Sequence, residues 1–169
     1  APRRAVKVAG TVAVVCAVTF FRAFTLAQVL PAWFLVFVGF VVASVTSPAF
    51  GALPVGRILL YAGLIGYGAI LPVVAYRMVK IGRLPEPMLP TMAIFAAPPS
   101  LCLAGYLAVT QVKQAFVVYA LLAVAGASLL YVLTHLPRIL KTRFHPSYAA
   151  LTFPFVISAI ALKQSNLFL

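Results

Sequence analysis

Apolar residues fill this sequence in long blocks, and the charged residues fall between the blocks. Residues 58–76, 87–112, 114–137 and 144–162 contain no Lys, Arg, Asp or Glu. A helix of about 20 such residues crosses the hydrocarbon core of a bilayer. Only helices and closed barrels satisfy their backbone there, and these blocks are too long and too continuously apolar for barrel strands, which alternate over about 10 residues. The pattern predicts an all-α polytopic membrane protein: one transmembrane domain over 1–169, with six spans at about 5–21, 31–46, 55–79, 88–110, 115–136 and 146–162.

Local signals mark the ends of these spans. The first is short, and Arg3, Arg4 and Lys7 ahead of it resemble the basic start of a signal peptide. No small-residue cleavage site follows before Arg22, so it reads as a span. Pro31 suits the first turn of the second helix and Trp33 suits an interfacial belt. Ser47-Pro48 and Gly51 to Pro54 read as a loop, as do Gly82 to Pro87, the turn around Lys113 and the basic segment Pro137 to His145.

Composition agrees with the pattern. The chain is 64% hydrophobic and 8% charged, where a soluble domain is about 45–50% apolar and about 25% charged; the mean hydropathy is +1.13. There are 13 Lys and Arg against one acid, Glu86, for a net charge of +12. So basic a chain would suggest nucleic acid. That partner is rejected, because the cations sit at the ends of apolar blocks, as snorkelling anchors and cytoplasmic loops do. Arg22, Arg77, Lys80, Arg83, Arg138, Lys141 and Arg143 follow odd-numbered spans, whereas only Arg57, Lys113 and Lys163 follow even-numbered ones. The first set is therefore expected on the cytoplasmic side, although Arg3, Arg4 and Lys7 fall opposite. The expected surroundings are a lipid bilayer, with the protein multi-pass in the cell membrane.

No catalytic or metal-binding constellation is visible, and no cofactor is implied. His135 and His145 flank a basic loop without an acid or thiol, and Cys16 and Cys102 lie in apolar runs, where packing accounts for them. The prolines inside spans are more informative. Pro98 and Pro99 cannot donate to Ile94 and Phe95, nor Pro154 to Ala150. In lipid such breaks persist only where they are buried in protein or line a cavity. Small residues recur beside them at helical spacing: Ala93, Ala97, Ser100, Ala104 and Ala108 in one span, and Ser147, Ala150, Pro154 and Ser158 in another. Tight helix packing explains such faces, and a narrow conduit lined by kinked helices explains them equally. Phe153 and Phe155 flank Pro154, and from position alone packing is favoured over plugging a conduit. With no acid in any span, a conduit would suit small anions, drawn by basic mouths at Arg57, Arg77, Lys80, Lys113, Arg138 and Lys141 and by helices restarting after a kink.

Several segments resemble the tellurite-resistance/dicarboxylate transporter family, which includes slow-anion channels of plants and fungal malate and sulfite transporters. They are Pro31-Ala-Trp-Phe34, Val45-Thr-Ser-Pro-Ala-Phe-Gly51, Leu84-Pro-Glu-Pro87, Pro90 to Ser100 with its Ala-Pro-Pro-Ser, and Tyr148 to Pro154 with its Thr-Phe-Pro. The resemblance covers roughly 31–169. It implies a ten-helix pore fold in which five inner helices line a central pore, and a homo-oligomer, commonly a trimer. The six spans look like helices four to nine, so 31–46, 88–110 and 146–162 would be inner helices, three of the five that close a pore. The resemblance makes Phe153 the residue occluding the pore and Pro154, Pro98 and Pro99 its kink positions, with Ala97, Ser100, Ala150, Ser158 and Gly39 lining it. One departure bears on the first inner helix, which has Phe34 to Gly39 where many relatives carry a proline-containing stretch. The implied function is an anion channel or transporter for small inorganic or organic acid anions. Its alternatives are a proton-coupled exporter of sulfite, dicarboxylate or tellurite-type solutes and a non-transporting membrane interaction subunit.

Overall fold

A computed structural model describes residues 29–82 and 84–168. The span expected at 5–21 lies outside the described residues. Within them there are helices and turns but no strands, and five helical spans are long and apolar enough to cross a membrane: Trp33–Phe50, Leu53–Ile81, Glu86–Val109, Ala115–Leu140 and Pro146–Phe168.

The five spans are of two kinds. Leu53–Ile81 (α3) and Ala115–Leu140 (α5) are continuous α-helices. The other three change helix type along their length. Trp33–Val38 (α1) passes through a 3₁₀ turn, Gly39–Val41, into Val42–Thr46 (α2), and a second 3₁₀ turn, Ser47–Phe50, closes the span. Glu86–Ala96 is 3₁₀ and leads into Ala97–Val109 (α4). Pro146–Leu151 is 3₁₀ and leads into Thr152–Phe168 (α6). These three are the spans that the resemblance assigns to the inside of the fold.

Proline alone does not decide which spans break. Pro72 lies inside α3 and Pro137 inside α5, and both helices continue. Pro98 and Pro99 instead occupy the first turn of α4, and Pro154 that of α6. There the missing N–H has no intrahelical acceptor to lose. The break after α1 has no proline at all. Val38 leaves helical geometry at φ −126° and ψ −18°, and Gly39 opens the 3₁₀ turn.

Span ends differ from the expected ones: Leu53, Pro54, Glu86 and Pro87, expected in loops, stand in the first turns of their helices, and three further ends are shifted. The loop expected at Ser47-Pro48 is a 3₁₀ turn, closed by Gly51 in the left-handed region at φ 64° with its N–H on the Pro48 and Ser47 carbonyls. The basic loop expected from Pro137 is still helix as far as Leu140. That end is secured by side chains: the Thr142 and Tyr148 hydroxyls each donate to the Ile139 carbonyl at 2.7 Å. They add to the Lys141 and Thr142 backbone N–H groups that already donate to that carbonyl, and Arg138 adds a cation at the negative end of the helix dipole. The last span runs on to Phe168 instead of ending near 162.

The span Glu86–Val109 lies at the centre. Of its most apolar stretch, 89% is buried, against 17–28% in the other four. Around α4 the core gathers Val38, Val41, Leu60, Leu101, Leu103 and Val118. Glycines let α3 close on the broken first span. A Cβ on Gly66 would sit 2.6 Å from the Phe37 carbonyl oxygen, and one on Gly63 would overlap the Val41 side chain. Small residues at helix interfaces serve this close approach in membranes.

Candidate functional site

The three breaks meet. Gly39 from the first broken span, Ala97 and Pro98 from the second and Phe153 from the third line one crevice, walled by Phe34, Val38, Ile94 and Leu101. Its volume is about 10 Å³, at the lower limit of what holds a single water. Phe153 is 36% exposed on its other side. Both α4 and α6 begin at this level, each continuing from its 3₁₀ segment, with the Ala97 and Thr152 N–H groups on the Ile94 and Ala149 carbonyls.

The remaining expected lining residues lie elsewhere. Ser100 and Ser158 are both buried, and their Oγ atoms are 3.0 Å apart, one donating to the other. They join α4 to α6 beside a crevice of about 20 Å³. Pro99 and Pro154 are buried in the first turns of their helices. Ala150 is half-buried against the cluster of Phe34, Ile94 and Val74. The two phenylalanines beside Pro154 separate cleanly: Phe153 lines the crevice, whereas Phe155 packs against Ala93, Ala96 and Val132.

The expected basic mouths also divide. Arg57 donates from Nε to the Val109 carbonyl at 3.1 Å and so caps the C-terminus of α4. Lys80 places Nζ 5.4 Å from the centre of the Tyr76 ring, within cation–π range. Arg77 departs from the expectation: it is 2% exposed, its Nε has no hydrogen-bond partner, and its Nη1 lies 3.4 Å from the Met78 sulfur. It sits on the buried face of α3, in sequence with Gly63, Ile70 and Val74, and not at a surface mouth.

One feature of the site has no counterpart in the sequence pattern. A chain of rings crosses the bundle: Tyr67 to Phe34 at 5.9 Å, Phe34 to Phe95 at 5.4 Å, Phe95 to Tyr131 at 5.8 Å and Tyr131 to His135 at 4.5 Å. These centroid separations suit tilted and edge-to-face aromatic pairs. Four spans contribute, so no periodicity within one span could show it. Phe34, 1% exposed, joins this chain to the crevice.

Two uninterrupted helices and three broken spans, whose breaks line one crevice, define a polytopic helical membrane protein. Set against known families, the chain matches the voltage-dependent anion channel family, SLAC1, over residues 4–166. It belongs to that family, whose members are anion channels and transporters and not enzymes, and it is an integral membrane protein. This is the family that the sequence segments resemble. No curated protein and no solved structure matches the chain.

Proposed function

We propose that the three broken spans form one side of an anion pathway and that Phe153 closes it at the level of the breaks. The observation that carries this reading is the convergence of Gly39, Ala97, Pro98 and Phe153 on one crevice of about 10 Å³. A hydrated anion needs far more room than a single water, so the pathway is shut at this level until the Phe153 ring moves. The permeant class is small inorganic anions or organic acid anions. The one acid of the chain, Glu86, is exposed at the start of its span, so a cation would meet no counter-charge within the bundle. The absence of a full positive charge at the crevice suits passage, because an ion must bind weakly enough to leave. The membrane is the cell membrane, with the end bearing Lys80, Arg138 and Lys141 on the cytoplasmic side.

Flux through liposomes containing the intact protein tests the reading. Chloride, nitrate, sulfite and malate should pass according to charge and size, with no requirement for a pH gradient. Flux that collapses with the proton gradient would replace it with a coupled exporter. Folded protein that carries no anion would replace it with a non-transporting subunit.

A further inference from the structure

The backbones of the continuous helices α3 and α5 do not approach each other. The Glu86–Ala96 segment, which packs on α5, adds Leu89, Met92 and Phe95 to the lining of a slot between them that has two adjoining parts. The larger part, about 580 Å³, is lined by Leu89, Met92, His135 and Arg138, among others. The second, about 370 Å³, is lined by Ala75, Phe95 and Ser128. Met78, Val79 and Tyr131 belong to both.

The slot follows helical stripes. On α3 it uses Ala75, Met78 and Val79, with Gly82 just past the helix end, and on α5 it uses Ser128, Tyr131, His135 and Arg138. Residues three and four apart share a helix face, so each helix presents one continuous wall. Both helices end at the same side of the bundle, so polarity changes along the slot in one direction. The deep end is Ala75, Phe95 and Ser128, and the Ser128 hydroxyl donates to the Val124 carbonyl at 2.8 Å and meets the Tyr67 side chain of α3. The outer end has the Arg138 guanidinium and His135. His135 donates from Nδ1 to the Tyr131 carbonyl at 2.9 Å, which leaves Nε2 as its free polar atom.

The charge around the slot has one sign. Arg77, buried and without an acidic partner, has its Nη1 3.4 Å from the sulfur of Met78, which is part of the wall. Glu86, the only acid in the chain, is exposed and lines neither part. The length also selects an occupant. Ser128 to Arg138 covers ~15 Å along a helix, which is half of a ~30 Å hydrocarbon core. An apolar groove one leaflet deep, topped by uncompensated arginine, fits a lipid of that leaflet with a negative headgroup.

We infer that the slot between α3 and α5 holds one anionic phospholipid, its phosphate at Arg138 and an acyl chain against Phe95 and Ala75. The site is separate from the crevice at Phe153 and does not depend on what crosses there.

The test is native mass spectrometry of the intact protein in detergent, with added phosphatidylglycerol or phosphatidylcholine. Phosphatidylglycerol should be retained preferentially. Arg138→Gln should lower its retention about fivefold, the factor expected for one basic residue at a membrane surface, and leave phosphatidylcholine unchanged. Ser128→Trp keeps the charge but fills the deep end, so it should also lower retention, and it carries the test if Arg138→Gln does not fold. Equal retention of the two lipids would overturn the inference. So would retention indifferent to both variants, as expected if a protein segment occupies the slot, or displacement by inorganic phosphate alone, which would mark a small-anion site.

Discussion

At the scale of single residues, the structure separates groups that look alike in the sequence. Ser100 and Ser158 both lie on small-residue faces beside prolines, where lining and packing are equally natural. Their 3.0 Å contact makes them a polar link between α4 and α6. Ser100→Ala should therefore lower stability by about 1 kcal/mol, because it leaves a buried hydroxyl on Ser158 without its partner. The double variant with Ser158→Ala should cost less than the two single changes added together. Unfolding in mixed micelles measures both, and additive costs would mean that the contact contributes nothing. Phe153 and Phe155 are a similar pair. Position alone favours packing for both, yet Phe155 packs against Ala93, Ala96 and Val132, whereas Phe153 lines the crevice.

At the scale of elements, the difference between broken and continuous spans follows from where prolines fall relative to a helix start. Pro98, Pro99 and Pro154 stand in first turns and mark a change of helix type. Pro72 and Pro137 stand inside helices that continue past them. The sequence shows the first group plainly, since Ala-Pro-Pro-Ser and Thr-Phe-Pro interrupt apolar blocks. It conceals the break at Gly39, where Val38 leaves helical geometry without a proline. It also conceals the helical turn beyond Pro137, because its support comes from Thr142 and from Tyr148 across a turn. Tyr148→Phe should fray that turn, and faster amide exchange at residues 138–140 would report it; unchanged exchange would show that Thr142 suffices. Close approach is a second element-scale claim. Gly63→Ala should cost about 1–3 kcal/mol, because the new methyl meets the stiff Val41 side chain. Gly126→Ala has open space around the new methyl and should be neutral or slightly stabilising. Thermal unfolding in detergent that ranks the two alike would contradict this packing.

At the scale of the whole molecule, the apolar blocks and the proline-bearing motifs carry the class and the family, and both are legible without coordinates. The assembly of the site is not. Gly39, Ala97 and Phe153 are separated by more than a span in the sequence, and only the fold brings them to one crevice. The basic mouths were the least legible part, since a charge at the end of an apolar block can face water, cap a helix as Arg57 does, or lie buried as Arg77 does. The central claim is that the Phe153 ring closes an anion pathway where three helices break. The most direct measurement is the anion current of the intact protein in planar bilayers, with Phe153→Ala compared against Phe155→Ala and the unaltered protein. Loss of a barrier of ~1.4 kcal/mol gives a tenfold change in rate, so Phe153→Ala should raise the current about tenfold or more. Phe155→Ala should lower stability and leave the current per folded protein unchanged. A folded Phe153→Ala protein with unaltered current, or an equal rise in both variants, would contradict the account.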